Sequence, residues 1–181
     1  MRGLYLVLSL TGLLLLSNFA GAKGVYQSPH EFLQEVFGSS GFEMQTLWLD
    51  EADKQRAQQI FGRKYMGFRM RYWQHKKQTA WIFDEVGKTR PITFGVVVAD
   101  NKVESLSVLE FRESRGGEIR HPFFTQQFVG LGLLKNSSSL DDSVDGITGA
   151  TLSVRAATRI VRFALYLAGR VDADRFEVSD E

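Results

Sequence analysis

The segment PITFGVVVADNKVESLSVLEF, residues 91–111, leaves this chain little choice of architecture. Two runs rich in apolar and β-branched residues flank Asp100-Asn101, a pair that tolerates the left-handed backbone of a tight turn, so the segment predicts an antiparallel hairpin. A lone hairpin is marginal in water and needs further strands and a covering layer. The sequence supplies both. MGFRMRYWQH and TAWIFDEV read as a second hairpin joined by Lys76-Lys77-Gln78, and Gly41 to Leu49 reads as another strand. Ser28-Pro29-His30-Glu31 is a capping box with proline at the first helical position, predicting a helix through Phe37 that stops at Gly38. Asp50 caps a second helix, EADKQRAQQIFG, ending at Gly62, and Pro122 opens a short amphipathic one in PFFTQQFVG. From Leu152 to Gly169 the residues Val154, Ala157, Val161, Leu165 and Ala168 recur at helical spacing, predicting a helix that buries this face on the sheet. The expected fold class is therefore α+β, an antiparallel sheet packed by helices.

Residues 1–22 stand apart from this pattern. MRGLYLVLSLTGLLLLSNFAGA has Arg2 as a minimal positive region, an uncharged apolar run from Leu4 to Leu16, and Ala20-Gly21-Ala22 as a small-x-small cleavage pattern. It reads as a signal peptide, with Lys23 as the mature N-terminus and export to the periplasm as the consequence. The alternative, a retained anchor, has an apolar run shorter than the roughly 20 residues of a spanning helix. Membrane association is accordingly expected to be peripheral only. Residues 23–181 are expected to form one domain.

Charge and cysteine usage narrow the chemistry. Of the 22 Lys and Arg residues one, Arg2, lies in the leader, and none of the 21 Asp and Glu does, so the remainder is formally neutral. Nucleic-acid binders are usually basic, so no nucleic-acid partner is expected. The chain has no cysteine, which excludes disulfides, thiolate metal sites, iron–sulfur clusters and thioether-linked haem. His30, His75 and His121 are dispersed and form no ligand spacing, so no metal site is expected. Any redox chemistry must then reside on an organic cofactor.

The polar loop KNSSSLDDSVDG leads into the most informative stretch, Asp145-Gly146-Ile147-Thr148-Gly149-Ala150-Thr151-Leu152-Ser153, at the entrance of the last helix. A helix N-terminus presents unpaired N–H groups and the positive end of the dipole, and Gly146 and Gly149 let a bulky anion approach the backbone. Such an entrance suits a phosphate. The alternative is an ordinary helix cap from Thr148, Thr151 or Ser153.

This stretch resembles the D-x-x-[ST]-G-A-[ST] signature of the FMN-binding domain family, which includes the peripheral flavin subunits of sodium-pumping quinone reductase and of its ferredoxin-oxidising relative. The resemblance extends through GKTRPITFGVVVADNKVESLSVLEFRES, FFTQQFVG and the final helix, from about Gly87 to Gly169, with residues 23–86 as an α+β extension. It implies that Thr151 is the attachment oxygen for FMN, esterified by a flavin transferase, and that Asp145 serves that enzyme in recognition or in placing its metal. Gly146, Thr148, Gly149 and Ala150 complete the motif; Thr148 and Gly149 either line the phosphate turn or act as a cap and a backbone turn. A threonine hydroxyl is a weak nucleophile and the motif holds no adjacent base, so activation belongs to the transferase. The family carries a glutamate after the second hairpin strand. Glu113 matches it only in part, being followed by Ser114-Arg115-Gly116-Gly117. Glu113 and Arg115 have two readings, as flavin contacts or as a charged loop.

Among the aromatic residues Phe123, Phe124 and Phe128 lie in the short helix, and none is assigned to stack on the ring. Arg155, Arg159, Arg162 and Tyr166 share one face of the last helix; a docking or phosphate face is one reading, and a solvated face is expected. With no other redox group and no acid–base pair, the resemblance implies an exported flavoprotein that carries electrons, with no catalytic residue of its own. Its expected partners are the transferase and a membrane-bound or periplasmic redox protein such as a cytochrome. A flavin reductase component acting on a small acceptor, and a non-redox envelope binding module, are the other two classes.

Overall fold

A computed structural model describes residues 24–38 and 41–179, with side chains through residue 173. The signal-peptide reading of residues 1–22 lies outside the described residues.

Six strands, β1 (Gly24–Val25), β2 (Glu43–Trp48), β3 (Arg69–His75), β4 (Gln78–Val86), β5 (Pro91–Ala99) and β6 (Lys102–Phe111), form one sheet in the order β1-β6-β5-β4-β3-β2. Every neighbouring pair is antiparallel. Helices α1 (Pro29–Phe37), α2 (Glu51–Phe61), α3 (Pro122–Thr125) and α4 (Thr151–Ser179) cover it. The predicted turn between β5 and β6 forms, with Asp100 and Asn101 both left-handed at φ 48° and 59°, the geometry that matches the twist of a two-residue hairpin. The β3–β4 turn is a residue shorter than expected, because Gln78 already pairs with His75.

The alternation of β4 and β5 divides the core in two. Trp81, Phe83, Phe94, Val96 and Val98 face α4, together with Val161, Phe163, Ala164 and Leu167 from that helix. On the other face Ala80, Val97 and Leu109 receive Phe32, Leu33 and Phe37 of α1. Gly95 is what lets α1 sit so close: a Cβ there would lie 2.6 Å from the Phe32 ring. The predicted capping box is present, Ser28 with Glu31 on α1, and the predicted cap Asp50 forms a box as well, with Asp53 on α2.

Three expectations change. The last helix does not stop at Gly169 but runs to Ser179, because Val171 continues the buried face and Arg170 pairs with Asp53. The short helix is a single turn, Pro122–Thr125, followed by a 3-10 turn at Gln126–Phe128, with Phe124 and Phe128 wholly buried against each other at a ring separation of 5.3 Å. The Arg155–Tyr166 face is solvated only at Arg155. Arg159 reaches Glu85 at 2.8 Å, Arg162 donates to the Ser138 carbonyl, and Tyr166 donates to Asp53 at 2.7 Å. Glu85 is buried and also accepts Arg63, so these cations compensate a charge that would otherwise be desolvated alone.

Candidate functional site

The entrance of α4 sits beside two other segments, the turn of residues 87–90 that joins β4 to β5 and the loop that follows β6. Lys88, Glu113, Ser114, Arg115, Gly149, Thr151 and Leu152 line a cleft of about 520 Å³ between them. That volume falls in the range of small-molecule and cofactor sites, roughly 300–1,000 Å³.

The backbone dictates how Thr151 is presented. Gly149 is left-handed at φ 85° and nothing lies within 4 Å of where its Cβ would be, so the chain turns there and leaves open space over the peptide. The Ala150 N–H then donates to the Ile147 carbonyl at 2.9 Å, while the Ala150 carbonyl accepts the first helical bond from Val154 at 3.0 Å. Ala150 is buried and anchors the turn in the core. Thr151 follows as the first helical residue, exposed, with the free N–H groups of the first turn around it. Among the described residues, none of the hydroxyls of Thr148, Thr151 and Ser153 makes a hydrogen bond, so the reading of this entrance as a hydroxyl-capped helix has no bond to stand on.

Of the residues singled out in the sequence, Thr151, Gly149, Glu113 and Arg115 meet at the cleft, with Ala150 buried beneath it. Asp145, Gly146 and Thr148 are exposed and lie outside its lining. Asp145 is fixed through its backbone, whose N–H donates to Gln127 Oε1 at 2.7 Å and ties the loop to the turn after α3. Phe124 and Phe128 are core residues, and Phe123 is exposed. A second hollow, about 360 Å³ between Asn101, Leu134, Leu165 and Arg170, contains none of the motif residues.

Glu113 is not a solvated loop charge, and it lines the cleft from a buried position. It is 5 % exposed, and its Oε1 accepts the backbone N–H groups of Lys88, Thr89 and Arg90 at 2.6, 2.6 and 2.9 Å. The Thr89 hydroxyl donates to Oε2 at 3.0 Å. Burial pushes the Glu113 carboxyl up, but these four donors outweigh it and hold the pKa below the ordinary value of 4.5. A carboxylate whose folded pKa is lowered contributes stability that is present above pH 4.5 and lost as pH falls through its folded value. Glu113→Gln, the uncharged counterpart, is therefore expected to be less stable than wild type at neutral pH by about 2 kcal/mol, a gap that closes in acid. Urea unfolding from pH 7 downward measures it, and a gap independent of pH would refute this role.

Lys88 escaped the sequence reading because its turn has no periodicity; the pairing of β5 with β6, Ile92 opposite Phe111, brings that turn beside Glu113. Residues 87–166 match the family model of the FMN-binding domain. This segment is an FMN-binding domain. The match begins at the turn that Glu113 holds and ends at Tyr166 within α4, so it contains the whole cleft lining. FMN is the cofactor. The cleft fits it: an unbonded hydroxyl, an open glycine peptide and a helix N-terminus suit the phosphate, and Lys88 and Arg115 suit an anionic ligand. No curated protein matches the chain significantly.

Proposed function

We propose that this FMN-binding protein is an exported electron carrier holding FMN in phosphoester linkage on Thr151, passing electrons between redox partners at or outside the inner membrane. The observation that carries the reading is the state of Thr151. It is exposed at the mouth of the cleft with a hydroxyl unbonded among the described residues, on a helix N-terminus where a phosphate is electrostatically favoured.

A flavin transferase forms the ester, since the motif offers Thr151 no base. Asp145 supports recognition by that enzyme: its backbone is anchored through Gln127, while its carboxylate is exposed and unbonded among the described residues. Bound FMN supplies the redox chemistry. The chain positions the phosphate end, keeps Ala150 and Leu152 at the base and rim of the cleft, and fixes the adjoining turn through Glu113. Electrons would pass to a membrane-bound or periplasmic redox protein, and a tether keeps the flavin from being lost where free FMN is not replenished.

Protein purified from the periplasm of a host with an active transferase is expected to begin at Lys23 and to carry the mass of one FMN less one water. An N-terminus at Met1 would overturn the cleaved signal peptide, and a protein missing from the periplasmic fraction would overturn the export reading. An unmodified mature mass would overturn the tether.

A further inference from the structure

Lys88 and Arg115 both line the cleft, and neither has a carboxylate partner among the described residues. They differ in how they are held. Arg115 lies in the exposed loop after β6 and makes no hydrogen bond among the described residues. Lys88 belongs to a turn whose three successive N–H groups converge on the buried Glu113 carboxylate. Those charge-assisted bonds engage Glu113 with the backbone, so the carboxylate fixes the turn while the Lys88 ammonium is left unpaired at the cleft.

Resting on the reading that FMN is tethered to Thr151 in this cleft, we propose that Lys88, positioned by Glu113, is the cation that stabilises the reduced flavin. Reduction takes two electrons from a redox-protein donor and one proton from solvent, and leaves one negative charge on the ring system. The oxidised ring is neutral. A cation carried at the cleft on a backbone fixed beforehand therefore favours the reduced state over the oxidised one and raises the midpoint potential. Glu113 acts only through Lys88, as a positioning residue. Arg115 contributes less, because no such converging bonds hold its own backbone at the cleft.

Sulfite tests this on the FMN-loaded protein. Its sulfur lone pair forms a bond to N5 of the oxidised ring as the N5–C4a π bond breaks and that electron pair moves to N1 and the C2 oxygen, placing on the ring the same negative charge as reduction does. Lys88→Gln is expected to weaken sulfite binding by about tenfold, equivalent to about 1.4 kcal/mol, and to lower the midpoint potential. Lys88→Arg should restore both. Glu113→Gln should move both in the direction of Lys88→Gln, and Arg115→Gln should move them less. Lys88→Gln with wild-type sulfite affinity and potential overturns the proposal, as does an Arg115→Gln that reproduces the whole effect. If Lys88 serves the phosphate instead, its loss lowers FMN content and leaves sulfite affinity unchanged, which also overturns it. Absorbance of the denatured protein separates the two readings. Wild type without covalent FMN sinks the tether and this inference together, whereas tethered FMN indifferent to Lys88 sinks this inference alone.

Discussion

Thr151→Ala leaves the protein at its unmodified mature mass and colourless after denaturation, while Thr151→Ser keeps a flavin that survives denaturation. The expectation is close to all-or-none because the phosphoester needs one particular oxygen, and alanine removes it. The fold should not notice. Thr151 is exposed and makes no hydrogen bond among the described residues, so the loss of its hydroxyl falls among surface substitutions of about 0.5 kcal/mol or less. Mass spectrometry and denatured-state absorbance of the three proteins, made in one transferase-containing host, decide the matter alongside their melting curves. If Thr151→Ala retains denaturation-resistant FMN, the attachment lies at another residue. If it unfolds, Thr151 has a structural part that its exposure does not suggest.

Asp53→Ala is expected to lower stability more than any other single change considered, by about 3 kcal/mol. Asp53 is wholly buried yet serves three partners. Its Oδ2 accepts the Asp50 N–H at 3.0 Å, closing the capping box of α2, and its Oδ1 accepts the Tyr166 hydroxyl at 2.7 Å and Arg170 Nε at 3.2 Å from α4. Removing the carboxylate opens the cap and strips both groups on α4 of this acceptor at once. Tyr166→Phe removes one of those bonds and should cost about 1 kcal/mol alone, but little in the Asp53→Ala background, because paired groups are non-additive. Burial, and then the bond to Asp53, push the Tyr166 hydroxyl above its ordinary pKa of 10.0. The stability it adds is therefore whole below pH 10 and lost as pH rises through its folded value. Denaturant unfolding of the two single variants and the double variant measures the coupling. Asp53→Ala within about 1 kcal/mol of wild type would mean that apolar contacts alone dock α2 on α4.

Much of the scaffold is legible in the residues. The capping box at Ser28, the cap at Asp50, the Asp100-Asn101 turn and the buried stripe from Val154 to Ala168 all form where local rules put them. Strand order was not legible, since pairing of β1 with β6 and of β4 with β5 depends on which apolar faces find each other in space. The register of β5 on β6 shifts twice, between Thr93 and Phe94 and between Val97 and Val98, and a strict alternation pattern carries no sign of either. The cleft divides in the same way. Thr151 and Gly149 are readable because helix entry and a left-handed turn are local properties. The binding partners of Glu113 are not, because they lie 23 to 25 residues away.

By itself, then, the sequence determined the antiparallel hairpins, the capped helices, the family of the segment from Gly87 onward, and FMN as its cofactor. These follow from short-range backbone preferences and from a motif whose residues are contiguous. The tertiary structure alone decided that Glu113 holds a turn instead of facing solvent, that Lys88 lines the cleft without a carboxylate partner among the described residues, and that Arg159, Arg162 and Tyr166 are structural. Each of those outcomes depends on which distant group is brought within hydrogen-bonding reach once the sheet has closed, and a buried charge takes its role from that neighbour rather than from its place in the chain.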